Sequence, residues 1–397
     1  MREHGWMRFY LDHAATAPLR PEARDAWLEA SGVVGNASST HGAGQHARRL
    51  LEEARERIAA VLAADAVEVV LTSGGTESIN TALHGLWRAR AEGTSAVVLP
   101  EAEHHATMDT VAALETDGAE VRRAPVDEHA RIDSEAFAAA LPGAALATAL
   151  IANNEAGTIN DVEALAHLAA SADVPLHLDA VAALGHLPVR FRALRGEAPA
   201  SAGLVAMSVA GHKVGAPVGT GALVVARGAR LAPLLHGGAQ QRGLRAGTQD
   251  VAGAVALATA MELGEQERDA ESARLSALRD RLVAGIRAEV PEAVLLGDPV
   301  HRLPGNAHVL FPGAVGESLL FLLDMHGIAA STGSACQAGV AEPSHVVRAM
   351  GRDERDARSV LRFSLGRSSA EADVDAVLAV IADVHRRASG SRTARGS

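Results

Sequence analysis

Short apolar runs alternate with helical patterns along the chain from about Val69 onward. The runs are rich in valine, leucine and alanine, and the segments between them carry apolar residues at the spacing of an amphipathic helix. Strands separated by helices in this way indicate βαβ units, and therefore an α/β protein with a mainly parallel sheet between layers of helices. The predicted strands are VVLTSG, AVVLP, EVRRAPVD, LATALIANN, PLHLDA, GLVAMSVA and GALVVA.

Polar residues stand at the ends of four of these strands. Thr76 follows VVLTSG, His104 follows AVVLP, Asn154 follows LATALIA, and Asp179 follows PLHL. Parallel sheets bind ligands at the carboxyl ends of their strands, so we expect these side chains to lie around one site.

The last third of the chain has a different pattern. A long amphipathic helical stretch covers residues 251–286, and shorter strands and helices follow it. These shorter elements indicate a second, smaller α+β domain. We therefore predict a large domain over residues 17–260, a small domain formed by residues 1–16 and 261–388, and a disordered tail over residues 389–397.

Composition narrows the class of protein. The chain of 397 residues is 48% hydrophobic and 21% charged, as in soluble globular proteins. Its formal net charge of −11 argues against binding to nucleic acid or to a membrane surface. No stretch is apolar enough for a signal peptide or a transmembrane helix, and a single cysteine excludes internal disulfide bonds. These features predict a cytoplasmic protein.

The chain contains one lysine, Lys213, among its 37 lysine and arginine residues, and it lies in the glycine-rich stretch SVAGHKVGAPVG. An arginine supplies charge equally well, but its guanidinium stays protonated and cannot condense with a carbonyl. A lysine amine can do so once burial or a neighbouring cation lowers its pKa. A surface lysine retained by chance is the simpler alternative. We favour Schiff-base chemistry at Lys213.

The chain also contains one cysteine, Cys336, in the stretch STGSACQAGVAEPSHVV. A free cysteine is most often a small buried apolar residue. The surrounding small and polar residues indicate a loop instead, and an accessible thiol is suited to nucleophilic chemistry. Cys336 is therefore a candidate nucleophile.

Three further features match the requirements of one cofactor. GGTES opens a helix after a strand, so its backbone N–H groups can hold a phosphate, although an ordinary helix cap has the same pattern. Asp179 can bind a metal, but no cluster of further ligands accompanies it, and no metal site is predicted. A carboxylate, a phosphate cradle and the Lys213 amine together are what pyridoxal 5′-phosphate requires. His104 can stack on the cofactor ring and transfer protons, or it can be purely structural.

Several short motifs extend over nearly the whole chain. Between YLDHAAT and RFSLGR they are, in order, NASSTHGAGQHARRLLEEAR, TSGGTES, EHHAT, NNEAG, HLDA, GHK, RAGT and STGSAC. With them the chain resembles the cysteine desulfurases, which are fold-type I pyridoxal-phosphate enzymes of the class-V aminotransferase group. The resemblance implies a large domain with a mainly parallel seven-stranded sheet and a smaller α+β domain. STGSAC followed by EPSHVVRAMG is similar to the subgroup whose cysteine lies on a long loop and serves iron–sulfur assembly.

The resemblance also implies a role for each candidate at the cofactor. Lys213 would form the Schiff base, Asp179 would pair with the pyridinium nitrogen, and His104 would lie against the ring. A further group of residues would hold the phosphate: Gly75, Thr76, His212 and, reaching across a homodimer interface into the neighbouring site, Thr248.

For the substrate L-cysteine, the resemblance implies that Asn154 and Arg362 bind the carboxylate, Arg362 through two charge-assisted hydrogen bonds. Cys336 would take the substrate sulfur as a persulfide, and L-alanine would be released. The persulfide would then be delivered to a sulfur-acceptor protein, either for iron–sulfur assembly or for another thiolation pathway.

Two positions depart from the family pattern. The family usually has a hydroxyl residue where this chain has Ala210, and a glutamine where it has Ala182. The two departures bear on cofactor affinity and on the physiological substrate.

Related functions also stay open: a C–S or selenocysteine lyase, an aminotransferase, or a non-catalytic scaffold for a sulfur-relay partner. Cys336 favours the desulfurase, because lyases and transaminases need no acceptor thiol.

Overall fold

The computed structural model of the protein describes residues 9–333 and 342–390. The predictions that concern Cys336 and residues 391–397 lie outside the described residues. The described residues form three β-sheets, of seven, three and two strands.

The strands are short, and most of them are buried along their whole length. Their bounds are β1 (Phe9–Tyr10), β2 (Val69–Thr72), β3 (Ala96–Pro100), β4 (Glu120–Ala124), β5 (Ala144–Leu150), β6 (Pro175–Asp179), β7 (Gly203–Ala210), β8 (Gly221–Val225), β9 (Val294–Leu296), β10 (Asn306–Leu310), β11 (Ile328–Ala329) and β12 (Val360–Ser364).

The largest sheet has its seven strands in the order β2-β8-β7-β6-β5-β3-β4. Only β8 runs antiparallel to its neighbours. This confirms the mainly parallel sheet that the apolar runs predicted, and each predicted strand is present in it. Because the parallel strands all end at the same edge, the polar residues that follow them are collected there.

Helices cover both faces of this sheet. The α-helices are α1 (Pro21–Ser31), α2 (Gly42–Leu62), α3 (Gly75–Arg88), α4 (His105–Thr116), α5 (Ser134–Ala140), α6 (Val162–Ser171), α7 (Phe191–Arg195), α8 (Val251–Glu289), α9 (Gly316–Met325), α10 (His345–Ala349), α11 (Glu354–Ala357), α12 (Glu371–Leu378) and α13 (Ile381–Gly390).

Aspartate side chains start several of these helices. Asp133, Asp161 and Asp250 accept hydrogen bonds from first-turn backbone N–H groups of α5, α6 and α8. Helix α8 is continuous, as the long amphipathic stretch predicted. Its first half contributes to the core of the seven-stranded sheet and its second half to the core of the three-stranded sheet. The predicted domain boundary at residue 260 falls inside α8 and stays a prediction.

The seven-stranded sheet has an apolar core on each face. On one face, α2, α6 and α8 pack on side chains that include Leu176, Leu178 and Met207. On the other face, α3 and α4 pack on Leu146 and Leu223. Burial of apolar surface stabilises the fold by roughly 25 cal/mol per Å², so this sheet is a rigid base for the groups at its carboxyl edge.

The three-stranded sheet is antiparallel, in the order β12-β10-β9. Helices α9, α12 and α13 and the second half of α8 enclose a separate core around Phe311 and Phe363. Strand β1 pairs in parallel with β11, which joins the start of the described chain to this part of the molecule. Helix α13 extends to Gly390, two residues into the segment that we predicted as a tail.

Candidate active site

Helix α3 begins at the carboxyl edge with two glycines and without a side-chain cap. Gly74 has a φ of 149°, which favours glycine. A side chain at Gly221 is also excluded, because its Cβ would lie 2.6 Å from the Cα of Gly74. Since Gly74 has no side chain to accept hydrogen bonds from the first-turn N–H groups of α3, these groups are suited to bind an anion.

The first turn of α3 lies against the ends of neighbouring strands. A Cβ added at Gly75 would lie 2.8 Å from Val181 Cγ2 and 3.5 Å from the Cβ of Ala210. Ala182 lines a cavity together with Lys213. Both positions that depart from the family pattern therefore lie at the candidate site.

Lys213 lies in the turn that directly follows β7, and it is half-buried. Its amine donates hydrogen bonds to the carbonyl oxygens of Ala14 and Ala15, the latter at 2.9 Å. Burial, and after it the charge of Arg362, lowers the pKa of the Lys213 amine to about 8. The neutral fraction present near physiological pH makes this amine a nucleophile and a base.

Asp179 is the last residue of β6, and it is buried. Its Oδ1 accepts a hydrogen bond from the backbone N–H of Val181 at 2.8 Å. Burial raises the pKa of the Asp179 carboxyl group to about 6, while the Val181 N–H and the Lys213 amine oppose that rise. A buried carboxylate is stabilised by a cation placed next to it, such as a protonated ring nitrogen.

His104 follows β3 and caps α4, where its Nδ1 accepts a hydrogen bond from the backbone N–H of Ala106 at 3.0 Å. Burial, followed by the charge of Lys213, lowers the pKa of His104 to about 4. The imidazole is therefore neutral near physiological pH. Because Nδ1 is an acceptor, the single ring proton is assigned to Nε2.

Arg362 lies in β12 and is buried. Its Nη1 donates to the backbone carbonyl of Asn154 and its Nη2 to Oδ1 of Asp12, both at 2.9 Å. Its Nε is buried and has no hydrogen-bond partner among the described residues. A buried unpaired donor costs free energy, so Arg362 keeps the capacity to bind a carboxylate.

Most of the residues predicted from the sequence lie together. Lys213 and Asn154 line one cavity. The charge of Lys213 contributes to lowering the pKa of His104 and opposes the rise in the pKa of Asp179, and the charge of Arg362 contributes to lowering the pKa of Lys213. The two sheets thus contribute to a single site between them.

Three predicted phosphate ligands lie at the margin of this group. Thr76 is exposed in the first turn of α3. His212 Nδ1 lies 3.3 Å from Thr16 Oγ1. Thr248 is exposed and lines a different cavity, which also includes Ser73. Within one chain, Thr248 is therefore not part of the Lys213 cavity.

Three residues near the site were not singled out from the sequence. Asp12 pairs with Arg362. His13 lines the same cavity as the lysine, and burial lowers its pKa to about 4. Glu103 is buried, and burial raises its pKa to about 8. The motifs YLDHAAT and EHHAT contain all three, so the sequence marked their segments but gave no chemical reason to choose these residues.

A protein-family model described as aminotransferase class-V matches residues 9–377. The chain belongs to this family. Over 388 residues, this class-V member is 48% identical to the IscS-like cysteine desulfurase of Mycobacterium tuberculosis, with 96% of each chain covered. It is 39% identical over 372 residues to the cysteine desulfurase NifS of Azotobacter vinelandii, covering 93% of this chain and 90% of that protein.

Solved structures confirm the fold of this class-V member. A structure described as a NifS-like protein superposes with a TM-score of 0.88 at 31% identity, covering 96% of this chain and 100% of that chain. A structure described as SspA in complex with cysteine superposes with a TM-score of 0.79 at 29% identity, covering 90% of this chain and 99% of that chain. The α/β fold of type I is therefore confirmed.

The described residues fit pyridoxal 5′-phosphate, the cofactor of the class-V family. The Lys213 amine suits its aldehyde, the buried Asp179 carboxyl group suits its protonated ring nitrogen, and the uncapped N-terminus of α3 suits its phosphate. These three groups belong to the same sheet edge, so one rigid frame holds all of them.

In residues 9–333 and 342–390, no helix is both long and apolar enough to cross a membrane. In the same two ranges, no three histidine, cysteine, aspartate or glutamate residues lie together as metal ligands.

Proposed function

We propose that this chain is a cysteine desulfurase, which converts L-cysteine into L-alanine and transfers the sulfur to Cys336 as a persulfide. The observation that carries the proposal is the lone lysine, whose amine has a lowered pKa beside a buried aspartate and a buried arginine with an unpaired donor. The names of the relatives support the same activity. In the reaction, the bond between the β-carbon and the sulfur of cysteine breaks and a sulfur–sulfur bond to Cys336 forms. The β-carbon keeps the electron pair and takes up the proton from the Cys336 thiol, so L-cysteine and a thiol become L-alanine and a persulfide.

Lys213, Asp179 and the N-terminus of α3 would hold the pyridoxal phosphate, with Gly75, Thr76, His212 and His104 around it. When bound, this cofactor supplies an electron sink for negative charge on the α-carbon of the substrate. Asp179 supports that role, because a buried carboxylate favours a protonated ring nitrogen.

Arg362 and Asn154 would orient the substrate by its carboxylate. Arg362 is fixed on two sides by Asp12 and by the Asn154 carbonyl, so its guanidinium is already oriented before a ligand arrives. The unpaired Nε gives an anion a further donor to satisfy. A preoriented arginine loses little side-chain entropy on binding.

Two groups can move protons in this site. The neutral form of Lys213 accepts the proton from the α-carbon of cysteine, and its pKa of about 8 keeps both protonation states accessible near neutral pH. His104 holds its proton at Nε2 and can donate it to a product atom, while the Ala106 N–H fixes the ring through Nδ1.

The finer points of the proposal concern assembly and delivery. Thr248 is exposed in the single chain and would bind the phosphate in a partner subunit, which requires a homodimer. The persulfide would pass to an acceptor protein for iron–sulfur assembly or thiolation. We place this activity in the cytoplasm, where a lone thiol stays reduced.

The test is incubation of the purified protein with L-cysteine. We expect alanine to form, and a mass increase of one sulfur atom to map to Cys336. The Cys336→Ser variant should still bind cofactor and cysteine, but it should form no persulfide. Undiminished release of sulfide by that variant would contradict the proposal and favour a C–S lyase.

A further inference from the structure

Two short flanks border the segment that carries Cys336, and the structure describes both. On the N-terminal side, the backbone of Ser331 exchanges two hydrogen bonds with Arg362, with N···O distances of 3.1 Å and 2.6 Å. The N–H of Gly333 then donates to the Ser331 hydroxyl at 3.0 Å. This flank is therefore attached to the strand that carries the proposed carboxylate ligand.

The C-terminal flank is attached through side chains. The Ser344 hydroxyl donates to Oε2 of Glu155 at 2.5 Å, and the same hydroxyl accepts from the backbone N–H of Val347 at 3.1 Å. The next residue, His345, donates from Nε2 to the backbone carbonyl of Glu103 at 2.8 Å. Two consecutive residues thus connect this flank to the carboxyl edge of the seven-stranded sheet.

The two flanks meet at Glu155. A Cβ added at Gly333 would lie 3.1 Å from Glu155 Oε2 and 3.2 Å from Nε2 of His308. The φ of Gly333 is +89°, so a larger residue would be disfavoured here by both space and conformation. Glu155 is only 2% exposed, and its Oε2 therefore lies against one flank while it binds the other.

Each attachment point is next to a residue of the proposed site. Arg362 belongs to the site itself, Glu155 directly follows Asn154, and Glu103 directly precedes His104. A displacement of either flank would be transmitted through Arg362 itself or through one neighbouring residue to the groups that bind the substrate. The same connections hold the chain ends of the cysteine segment at a fixed place relative to those groups.

We infer that Glu155 and Ser344 are positioning residues for the sulfur-transfer step: their hydrogen bond holds the C-terminal flank of the cysteine segment beside the N-terminal flank at the substrate site. This inference rests on the proposed desulfurase function. An intramolecular reaction depends on the effective concentration of its nucleophile, which falls when a restraint on the connecting chain is lost. The pair should therefore affect persulfide formation while leaving the binding of cofactor and cysteine intact.

The experiment uses the cofactor-loaded protein and the variants Glu155→Met and Ser344→Ala, each of which removes one partner of this hydrogen bond. We expect kcat for alanine formation to fall about tenfold, while KM for cysteine and cofactor content stay within about twofold. Because Cys336 is the only cysteine, alkylation by iodoacetamide reports on this thiol alone. Without the substrate L-cysteine, we expect iodoacetamide to alkylate Cys336 at least about threefold faster in these variants than in the parent, because a released flank gives the reagent more access.

Two control variants separate positioning from general damage to the fold. Glu68→Met makes the same change at another buried glutamate, which accepts hydrogen bonds from backbone N–H groups of Asp65 and Arg227, and it should leave kcat and alkylation unchanged. Ser344→Thr keeps the hydroxyl group and should restore most of the parent kcat.

The possible failures are distinguishable. A parent protein that forms neither alanine nor a persulfide would overturn the proposed function. An active parent whose Glu155→Met and Ser344→Ala variants keep the parent kcat would overturn this inference alone. A reduced kcat with unchanged or slower alkylation, or with loss of cofactor, would also overturn it, because Glu155 would then act on the cofactor site.

Discussion

The two sheets each bury a histidine completely, and the two histidines differ in their partners. His177, in β6 of the seven-stranded sheet, lies between the hydroxyl groups of Thr148 at 2.9 Å and Ser208 at 2.8 Å. His308, in β10 of the three-stranded sheet, has no hydrogen-bond partner for either ring nitrogen among the described residues. Burial lowers the pKa of both imidazoles to about 3, so both are neutral.

The difference indicates what each sheet does. The side chains of Thr148, His177 and Ser208 form a row of hydrogen bonds across β5, β6 and β7 near the carboxyl ends of these strands. Each of the three side chains has a hydrogen-bond partner. This row fixes the register of the strands that present Asp179 and Lys213. The neighbour of His308 across the sheet is Arg362, which also has an unpaired nitrogen. Within its strands the seven-stranded sheet is thus a completed frame, although Glu103 Oε2 after β3 has no partner among the described residues, whereas the strands of the three-stranded sheet themselves keep unpaired polar groups at the substrate side.

The largest effect should come from the completed frame. Lys213→Ala removes the only side-chain amine of the chain, so alanine formation should fall by at least about a thousandfold. Treatment with borohydride should then attach no cofactor to any side chain. Mass spectrometry of the reduced protein is the measurement. A cofactor adduct on a side chain of the variant would refute the role of Lys213.

A smaller effect should come from the three-stranded sheet, which carries Arg362. Arg362→Lys loses the planar guanidinium, and KM for cysteine should rise about 100-fold, which corresponds to about 2.7 kcal/mol. Cofactor content should stay unchanged, because the cofactor residues belong to the other sheet. Steady-state kinetics and the absorbance of the cofactor measure the two quantities.

The matched control for this change is Arg279→Lys. Arg279 is also buried, and it donates to the carbonyl oxygens of Leu303 and Pro304. The Arg279→Lys variant should leave KM for cysteine unchanged. An equal rise in KM for both variants would mean that Arg362 acts on the fold and not on the substrate.

The difference between the seven-stranded and the three-stranded sheet also explains which residues of the site could be predicted from the sequence. Asp179, His104 and Asn154 follow apolar strands, and a parallel sheet brings strand ends together, so the pattern alone indicated a common site. Lys213 was indicated by its chemistry and its rarity. Gly75 and Thr76 were indicated by the glycine pair before a helix.

The contribution of the three-stranded sheet could not be derived in this way. Arg362 lies within β12, where an arginine in an alternating strand pattern has no special position. Its proximity to Lys213 depends on how α8 joins the two sheets. A contact between residues so far apart in the sequence produces no periodic pattern of apolar and polar residues from which it could be predicted. Only the family resemblance indicated Arg362. The motifs YLDHAAT and NNEAG contain Asp12 and Glu155, but no chemical reason in the sequence selected either residue.

The smallest expected effect tests the two histidines directly. At pH 7, His177→Asn should lower the free energy of unfolding by about 1–3 kcal/mol, because the shorter side chain cannot keep both hydrogen bonds. His308→Asn should cost less than about 1 kcal/mol, because no hydrogen bond to described residues is lost. Urea unfolding followed by circular dichroism measures both values.

The pH dependence should be the same for both variants. Each imidazole has a pKa of about 3 in the folded protein and an ordinary value of about 6.5 when unfolded. Between these values the unfolded state binds more protons, so acid favours unfolding. Each histidine should therefore lower the free energy of unfolding of the parent protein by about 2 kcal/mol between pH 7 and pH 5. A variant that lacks one of them should lose about 2 kcal/mol less over the same pH range. Equal costs at pH 7 would mean that His308 is as well hydrogen-bonded as His177, and the contrast between a completed frame and an open substrate side would fail.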